Sequence, residues 1–306
     1  MIRSVLFFGS RCSFADHVLG ALIQNGFEIR ARFVPGHNGR AKPFQEVSGP
    51  AAPRTSELLP MVGSGNTQRT AAPGADPFPT IMIHQHRSPE LAQHLDSFDA
   101  DISIVCCYPR RLPRRLVDAA RYGGLNVHPS LLPKYRGPEP LFWIYRNNER
   151  ETGVTIHRVD AGLDTGPIVR QQRMDIPLGT PGDELWMELA VNSAALMIDA
   201  LNDSDSLNVP EVQRDEEASY YSWPESADLL VVPEQWDARE VFHFCRGVIP
   251  LGYTPVLAYD GDQREIRQVF AFEDSYSIAG MAIRSRREWI KCKSGMVQLR
   301  LGSTVR

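Results

Sequence analysis

The fold is decided by Leu125-Asn-Val-His-Pro-Ser-Leu-Leu-Pro-Lys-Tyr-Arg-Gly137. Leu125 to Val127 follows Gly123-Gly124 and reads as a short buried strand, the fourth in a series of strand and helix patterns. Asn126 and His128 are two residues apart, so on a strand their side chains share one face. At the carboxyl end of a strand in a parallel sheet they border the crevice where open α/β folds bind ligands.

Upstream, Val5 to Phe8 is a continuous apolar run closed by Gly9 and Ser10, and Ala15 to Asn25 is helical in its spacing with Gly26 as a stop. Phe27 to Val34 predicts a second strand. Ser88-Pro89 opens a helix over Glu90 to Leu95, Ile102 to Cys107 is a third buried strand, and Pro113 to Tyr122 predicts a helix. Alternation of this kind specifies an α/β chain with an open, mostly parallel Rossmann-like sheet. Pro35 to Thr80 interrupts it with eight prolines and six glycines. This stretch predicts an irregular loop with one helical turn near Ser56 to Met61: either a surface insertion or an active-site flap or acceptor-binding loop.

Downstream, Gly153 to Arg158 and Pro167 to Met174 are strand-like, and Pro181 to Leu201 predicts a long helix with Thr180 and Asp183 as a capping pair. The polar run Asn202 to Asn208 places a boundary, giving a catalytic domain over 1–205 and a smaller domain over 206–306. Short β segments at Val256 to Tyr259, Ile266 to Phe272, Ala282 to Arg284, Trp289 to Cys292 and Val297 to Leu301 predict a small C-terminal β-barrel.

With 306 residues, 42% hydrophobic and 23% charged, the chain has the composition of a globular protein, not a disordered one. Its net charge of -4 argues against a globally basic polyanion binder. Cys12, Cys106, Cys107, Cys245 and Cys292 form neither a disulfide framework nor a zinc knuckle and suit reduced thiols in a cytoplasm. The apolar run at the N-terminus is too short for a signal peptide, and no stretch reaches the ~18 apolar residues of a membrane helix. Gly9-Ser-Arg-Cys-Ser-Phe14 lacks the spaced glycines of a dinucleotide site. His84-Gln-His86 and His94 have no acidic or thiol partner at ligand spacing, so no metal is expected.

Asp164 lies 36 residues after His128, in Asp160-Ala-Gly-Leu-Asp-Thr-Gly-Pro167. Singly, each of these residues reads as turn or core chemistry. Together, an amide, an imidazole and a carboxylate at one crevice suit acyl transfer: the first two meet a developing oxyanion and the third orients and relays protons.

Asn126 to Pro133, Arg136-Gly137, Gly153-Val-Thr-Ile-His157 and Gly162 to Pro167 resemble the formyltransferases that use 10-formyltetrahydrofolate, a family that includes methionyl-tRNA formyltransferase and the amino-sugar N-formyltransferases. The resemblance runs from Ile2 to about Leu201. It implies a catalytic trio of Asn126, His128 and Asp164. It also implies that the folate lies against Cys107, Tyr108, Pro109, Arg110, Arg111 and Leu112, and under Asp160, Gly162 and Leu163. Pro109, Arg110 and Arg111 stand where the family often has small or apolar residues. Arg110, Arg111, Arg114 and Arg115 read either as a solvated helix start or as a patch for a folate tail or an acceptor phosphate.

Ser130, Tyr135, Arg136 and Gly137 are the candidate acceptor contacts. Residues 207–306 are similar to a short form of the OB-like domain of methionyl-tRNA formyltransferases. That region holds 12 Lys and Arg against 15 Asp and Glu, and the 35–80 loop has only Arg40, Lys42, Arg54 and Arg69 as cations. A polyphosphate partner favours a basic face, so the expected acceptor is a small amine, such as an amino-sugar nucleotide or a secondary-metabolite amine. Methionyl-tRNA is the alternative acceptor, and hydrolysis of 10-formyltetrahydrofolate an alternative reaction.

Overall fold

The computed structural model describes residues 1–36, 44–46, 77–203, 207, 211–275 and 287–305. Its larger sheet has eight strands: β1 (Ser4–Gly9), β2 (Glu28–Pro35), β3 (Phe44–Glu46), β4 (Thr80–Ile83), β5 (Ile102–Cys106), β6 (Gly124–His128), β7 (Glu151–Arg158) and β8 (Ile168–Asp175). Their order is β3-β4-β2-β1-β5-β6-β7-β8. The four pairings from β4 to β6 are parallel. The edges, β3 on β4 and β6 through β7 to β8, are antiparallel.

Strand periodicity divides the core. On β1, Val5 and Phe7 face a cluster shared with Phe14, Val18 and Leu22 of α1 (Ser13–Gln24), whereas Leu6 and Phe8 face Phe33, Ile81, Ile83 and Leu91 on the other side. Both faces of the strand are therefore dry, which explains the unbroken apolar run in the sequence. The second face is closed by α2 (Pro89–Asp96), capped by the Ser88 hydroxyl at 3.2 Å from the Leu91 amide, and by α3 (Arg114–Val117).

The chain departs from the expected helices in four places. The helix expected over Pro113 to Tyr122 stops at Val117, because the amides of Arg121 and Tyr122 donate instead to the carbonyls of Ala100 and Asp101. The helix near 181–201 is α5 (Gly182–Asn202), and its N-terminus carries no side-chain cap; the Thr180 hydroxyl donates to the Pro177 carbonyl. Two helices fall where none was expected, α4 (Pro140–Arg146) and α6 (Ala238–Val248).

Within the Pro35 to Thr80 stretch, Phe44–Glu46 is a strand; the turn expected at Ser56 to Met61 lies outside the described residues. So does the strand expected at Ala282 to Arg284.

The C-terminal strands β9 (Leu230–Val231), β10 (Val256–Tyr259), β11 (Asp262–Glu273), β12 (Glu288–Lys291) and β13 (Met296–Thr304) form a five-stranded sheet in the order β12-β13-β11-β10-β9. Its inner face and α6 join the same hydrophobic cluster as α1, α4 and α5. The contact is close: Gly247 of α6 lies flat on the Tyr145 ring, where a Cβ would stand 2.2 Å away, and Gly182 abuts the Gly247 carbonyl. Among the described residues no helix is long and apolar enough to cross a membrane.

Candidate active site

Asn126 and His128 end β6, and antiparallel pairing sets His157 of β7 directly opposite Asn126. Asp164 enters from the loop between β7 and β8. Its φ of 55° is in the left-handed region, and the Asp164 backbone and the tight turn around it aim the carboxylate back at the strand end. Asp160 shapes that turn by accepting from the Gly162 amide at 2.9 Å and the Thr165 hydroxyl at 2.8 Å. Gly162 has no room for a Cβ, which would meet the Thr165 hydroxyl at 1.8 Å.

Asp164 is the hub. One oxygen, Oδ1, lies 3.3 Å from the Asn126 amide nitrogen, 3.8 Å from His128 Nδ1 and 3.7 Å from His157 Nε2. The other, Oδ2, accepts from the Gly137 amide at 2.9 Å. His128 is buried, and its Nε2 donates to the Tyr135 carbonyl at 2.8 Å, leaving Nδ1 toward the carboxylate. Asn126 uses one amide hydrogen on Asp164 and the other on His157 Nε2, 3.0 Å away. His157 therefore carries its own hydrogen on Nδ1, which donates to the Arg158 carbonyl at 2.9 Å. Burial of that ring penalises its cation and holds its pKa well below the ordinary value. His157 is a neutral acceptor that orients the Asn126 amide.

The other sequence-level candidates divide by what their side chains touch. Ser130 is fully buried and donates to the Lys134 carbonyl. The Tyr135 hydroxyl donates to Glu149 at 2.7 Å, and desolvation with that carboxylate raises its pKa. The guanidinium of Arg136 binds Gln213 and Asp215. These three side chains are engaged inside the protein, and Gly137 contributes its amide to Asp164.

Among the residues expected to meet the folate, Cys107 follows β5 with a φ of 50°. Tyr108 and His86 share a 2.7 Å hydrogen bond, Arg110 donates to the Gly36 carbonyl, and Leu112 is core. Arg111 and Leu163 are exposed.

Three participants were not among the candidates. His157 stood in the quoted motif, but only strand register sets it against Asn126. Gln213 and Ser219 come from the segment after α5. Ser219 accepts from the Tyr135 amide through its hydroxyl and from the Arg136 amide through its carbonyl, both at 2.9 Å. A Gln among acidic residues carries no sequence signal of such a role.

The formyl transferase profile matches residues 5–201, most of the described α/β half. The chain belongs to the formyl transferase family. Among relatives, methionyl-tRNA formyltransferase from Thermosynechococcus vestitus is 36% identical over 170 residues, 55% of this chain and 50% of that protein. The enzyme of the same name from Clostridium novyi is 29% identical over 216 residues, 70% of this chain and 69% of that one. The first of these alignments therefore spans only half of the relative.

In fold, the chain is similar to an N-formyltransferase from Helicobacter canadensis solved with folinic acid and dTDP-3-aminofucose, with a TM-score of 0.62, 16% identity and full coverage of both chains. HypX from Aquifex aeolicus gives a TM-score of 0.64 at 16% identity, over 98% of this chain and 45% of that one.

Proposed function

We propose that the chain transfers a formyl group from 10-formyltetrahydrofolate to the primary amine of a small acceptor, an amino sugar on a nucleotide or a comparable amine. The observation that carries this reading is the convergence of Asn126, His128 and His157 on one carboxylate oxygen of Asp164, within 3.3–3.8 Å, at the strand end. The acceptor nitrogen attacks the formyl carbon, and the carbonyl electron pair moves onto oxygen. The Asn126 hydrogen now on Asp164, its longer bond at 3.3 Å, and Nδ1–H of protonated His128 turn to that oxyanion. Asp164 takes the proton of the attacking amine. As the oxyanion collapses, the bond to the folate nitrogen breaks, and that nitrogen receives a proton from His128. Asp164 then returns its proton to His128, closing the cycle.

In this reading the folate lies along 107–112 and the 160–164 turn. Ser130, Tyr135 and Arg136 position the acceptor edge through the turn they stiffen. Residues 1–205 carry the chemistry and 206–306, read as an OB-like unit, support it. Methionyl-tRNA is the alternative acceptor, favoured by the names of the sequence relatives and disfavoured by the charge of residues 207–306.

The test is release of tetrahydrofolate from 10-formyltetrahydrofolate with charged initiator methionyl-tRNA and, separately, with amino-sugar nucleotides. Turnover with the sugars and not with the tRNA is the expected result. Turnover with the tRNA alone reverses the acceptor assignment. Release with no amine present, with formate as product, makes the protein a hydrolase.

A further inference from the structure

The segment that follows α5 lies outside the family match at 5–201, yet it runs along the catalytic turn. Glu211 exchanges backbone hydrogen bonds of 2.7 and 2.8 Å with Ile168, and the 219–221 stretch pairs with Arg136. Between them Gln213 is buried, 8% exposed, and both polar atoms of its side chain are engaged. Its Nε2 donates to the carbonyls of Asp164 at 2.9 Å and Gly166 at 2.7 Å. Its Oε1 accepts from Arg136 Nε at 3.1 Å and Nη2 at 2.9 Å. Arg136 immediately precedes Gly137, whose amide holds Asp164 Oδ2.

We infer that Gln213 is a positioning residue for formyl transfer, a clamp between the two segments that aim Asp164. One end of its amide fixes the Asp164 backbone in its left-handed conformation, a state that a non-glycine residue keeps only under constraint. The other end fixes the Arg136 side chain, and through it the turn that presents the Gly137 amide. Both constraints act on the same carboxylate, from its backbone and from its hydrogen-bond donor. The C-terminal part of the chain thus takes part in aiming Asp164. A primary amide suits the place because it offers two donors to two carbonyls and an acceptor to a guanidinium. A carboxylate in the same position keeps the acceptor and loses both donors.

The inference rests on the proposed function only for its effect on turnover, so its test has a readout that does not need the reaction. Hydrogen exchange is followed by mass spectrometry in the full chain for the parent, Gln213→Ala and Gln213→Glu, comparing the 160–167 stretch with β1 and α5. Both variants are expected to speed exchange in 160–167 at least fivefold, with β1 and α5 unchanged. With an acceptor in hand, kcat is expected to fall tenfold or more while KM for the folate stays within twofold.

Unchanged exchange in 160–167, or acceleration equal in β1 and α5, overturns the clamp. So does parental kcat in a variant whose loop has loosened. If the parent transfers formyl to no amine, the proposed function falls, and the exchange comparison alone still decides whether Gln213 holds the loop.

Discussion

Asp164 accepts from the Asn126 amide and the Gly137 N–H and faces the rings of His128 and His157, so substitutions around it separate charge from geometry. Asp164→Asn keeps the volume and removes the negative charge; His128→Ala removes the donor facing it. Each is expected to lower formyl transfer by about a hundredfold or more with the thermal midpoint little changed. Near-parental turnover in either would remove that residue from the mechanism.

His157→Ala removes the acceptor that orients Asn126. It should cost about tenfold in kcat, checked against KM for the folate, which is expected to hold.

Glu139, two residues past Gly137, is pushed up to about 8 from an ordinary value of 4.5, chiefly by desolvation. A raised carboxyl pKa gives stability that is fully present below pH 4.5 and is lost as pH rises toward 8. Glu139→Gln should therefore flatten the pH dependence of stability, with a gain over the parent at pH 8 on the order of a few kcal/mol. Urea midpoints at pH 5 and pH 8.5 check it, and equal slopes in both proteins would contradict it. Asp164, 36 residues after His128, joined the candidates through the family resemblance, and that Asn126 and His128 share a face was legible in the sequence from their spacing. The role of His157 was not, because its partner is chosen by register.

At the scale of elements, the turn after β6 is the sensitive piece. Gly137 has a φ of 121°, and a Cβ there would stand 2.0 Å from the Tyr221 carbonyl. Gly137→Ala should displace the 219–221 stretch and destabilise the protein by about 2 kcal/mol or more, read from the urea midpoint, with activity lost in parallel. A parental midpoint would mean that the turn shifts freely.

Four of the five parallel strands were readable, β1 and β5 most plainly because they are buried on both faces and almost wholly apolar, whereas β4, at the end of the proline-rich stretch, was not expected. The helices that escaped did so for local reasons. α4 is seven residues long and begins at Pro140 between loops. α6 has the polar sequence Ala-Arg-Glu-Val-Phe-His-Phe-Cys-Arg-Gly-Val, in which only one face is apolar. The signal that was present and unused is its capping box, Asp237 with Glu240.

For the whole molecule, the cluster that begins at β1 continues through α5 into α6 and the C-terminal sheet without a polar break. Phe142 of α4 packs on Phe244 and Tyr253, with ring centroids 5.8 and 4.7 Å apart. A core shared in this way should unfold as one unit, so calorimetry is expected to record a single transition. Two resolved transitions would show that the α/β half holds its core alone.

The sequence by itself determined the α/β class, four of the five parallel strands, the shared face of Asn126 and His128, and the family resemblance that pointed to Asp164. Those features are local: runs of residues a few positions apart, or motifs whose chemistry requires fixed residue types. Tertiary structure alone decided that His157 faces Asn126, that Ser130, Tyr135 and Arg136 turn inward, and that Gln213 reaches the Asp164 loop from 49 residues away. Such contacts depend on strand register and on the path of a segment after a 21-residue helix. Neither leaves a periodicity in the chain, because a buried amide that satisfies two carbonyls is chosen by the space around it and not by its neighbours in sequence.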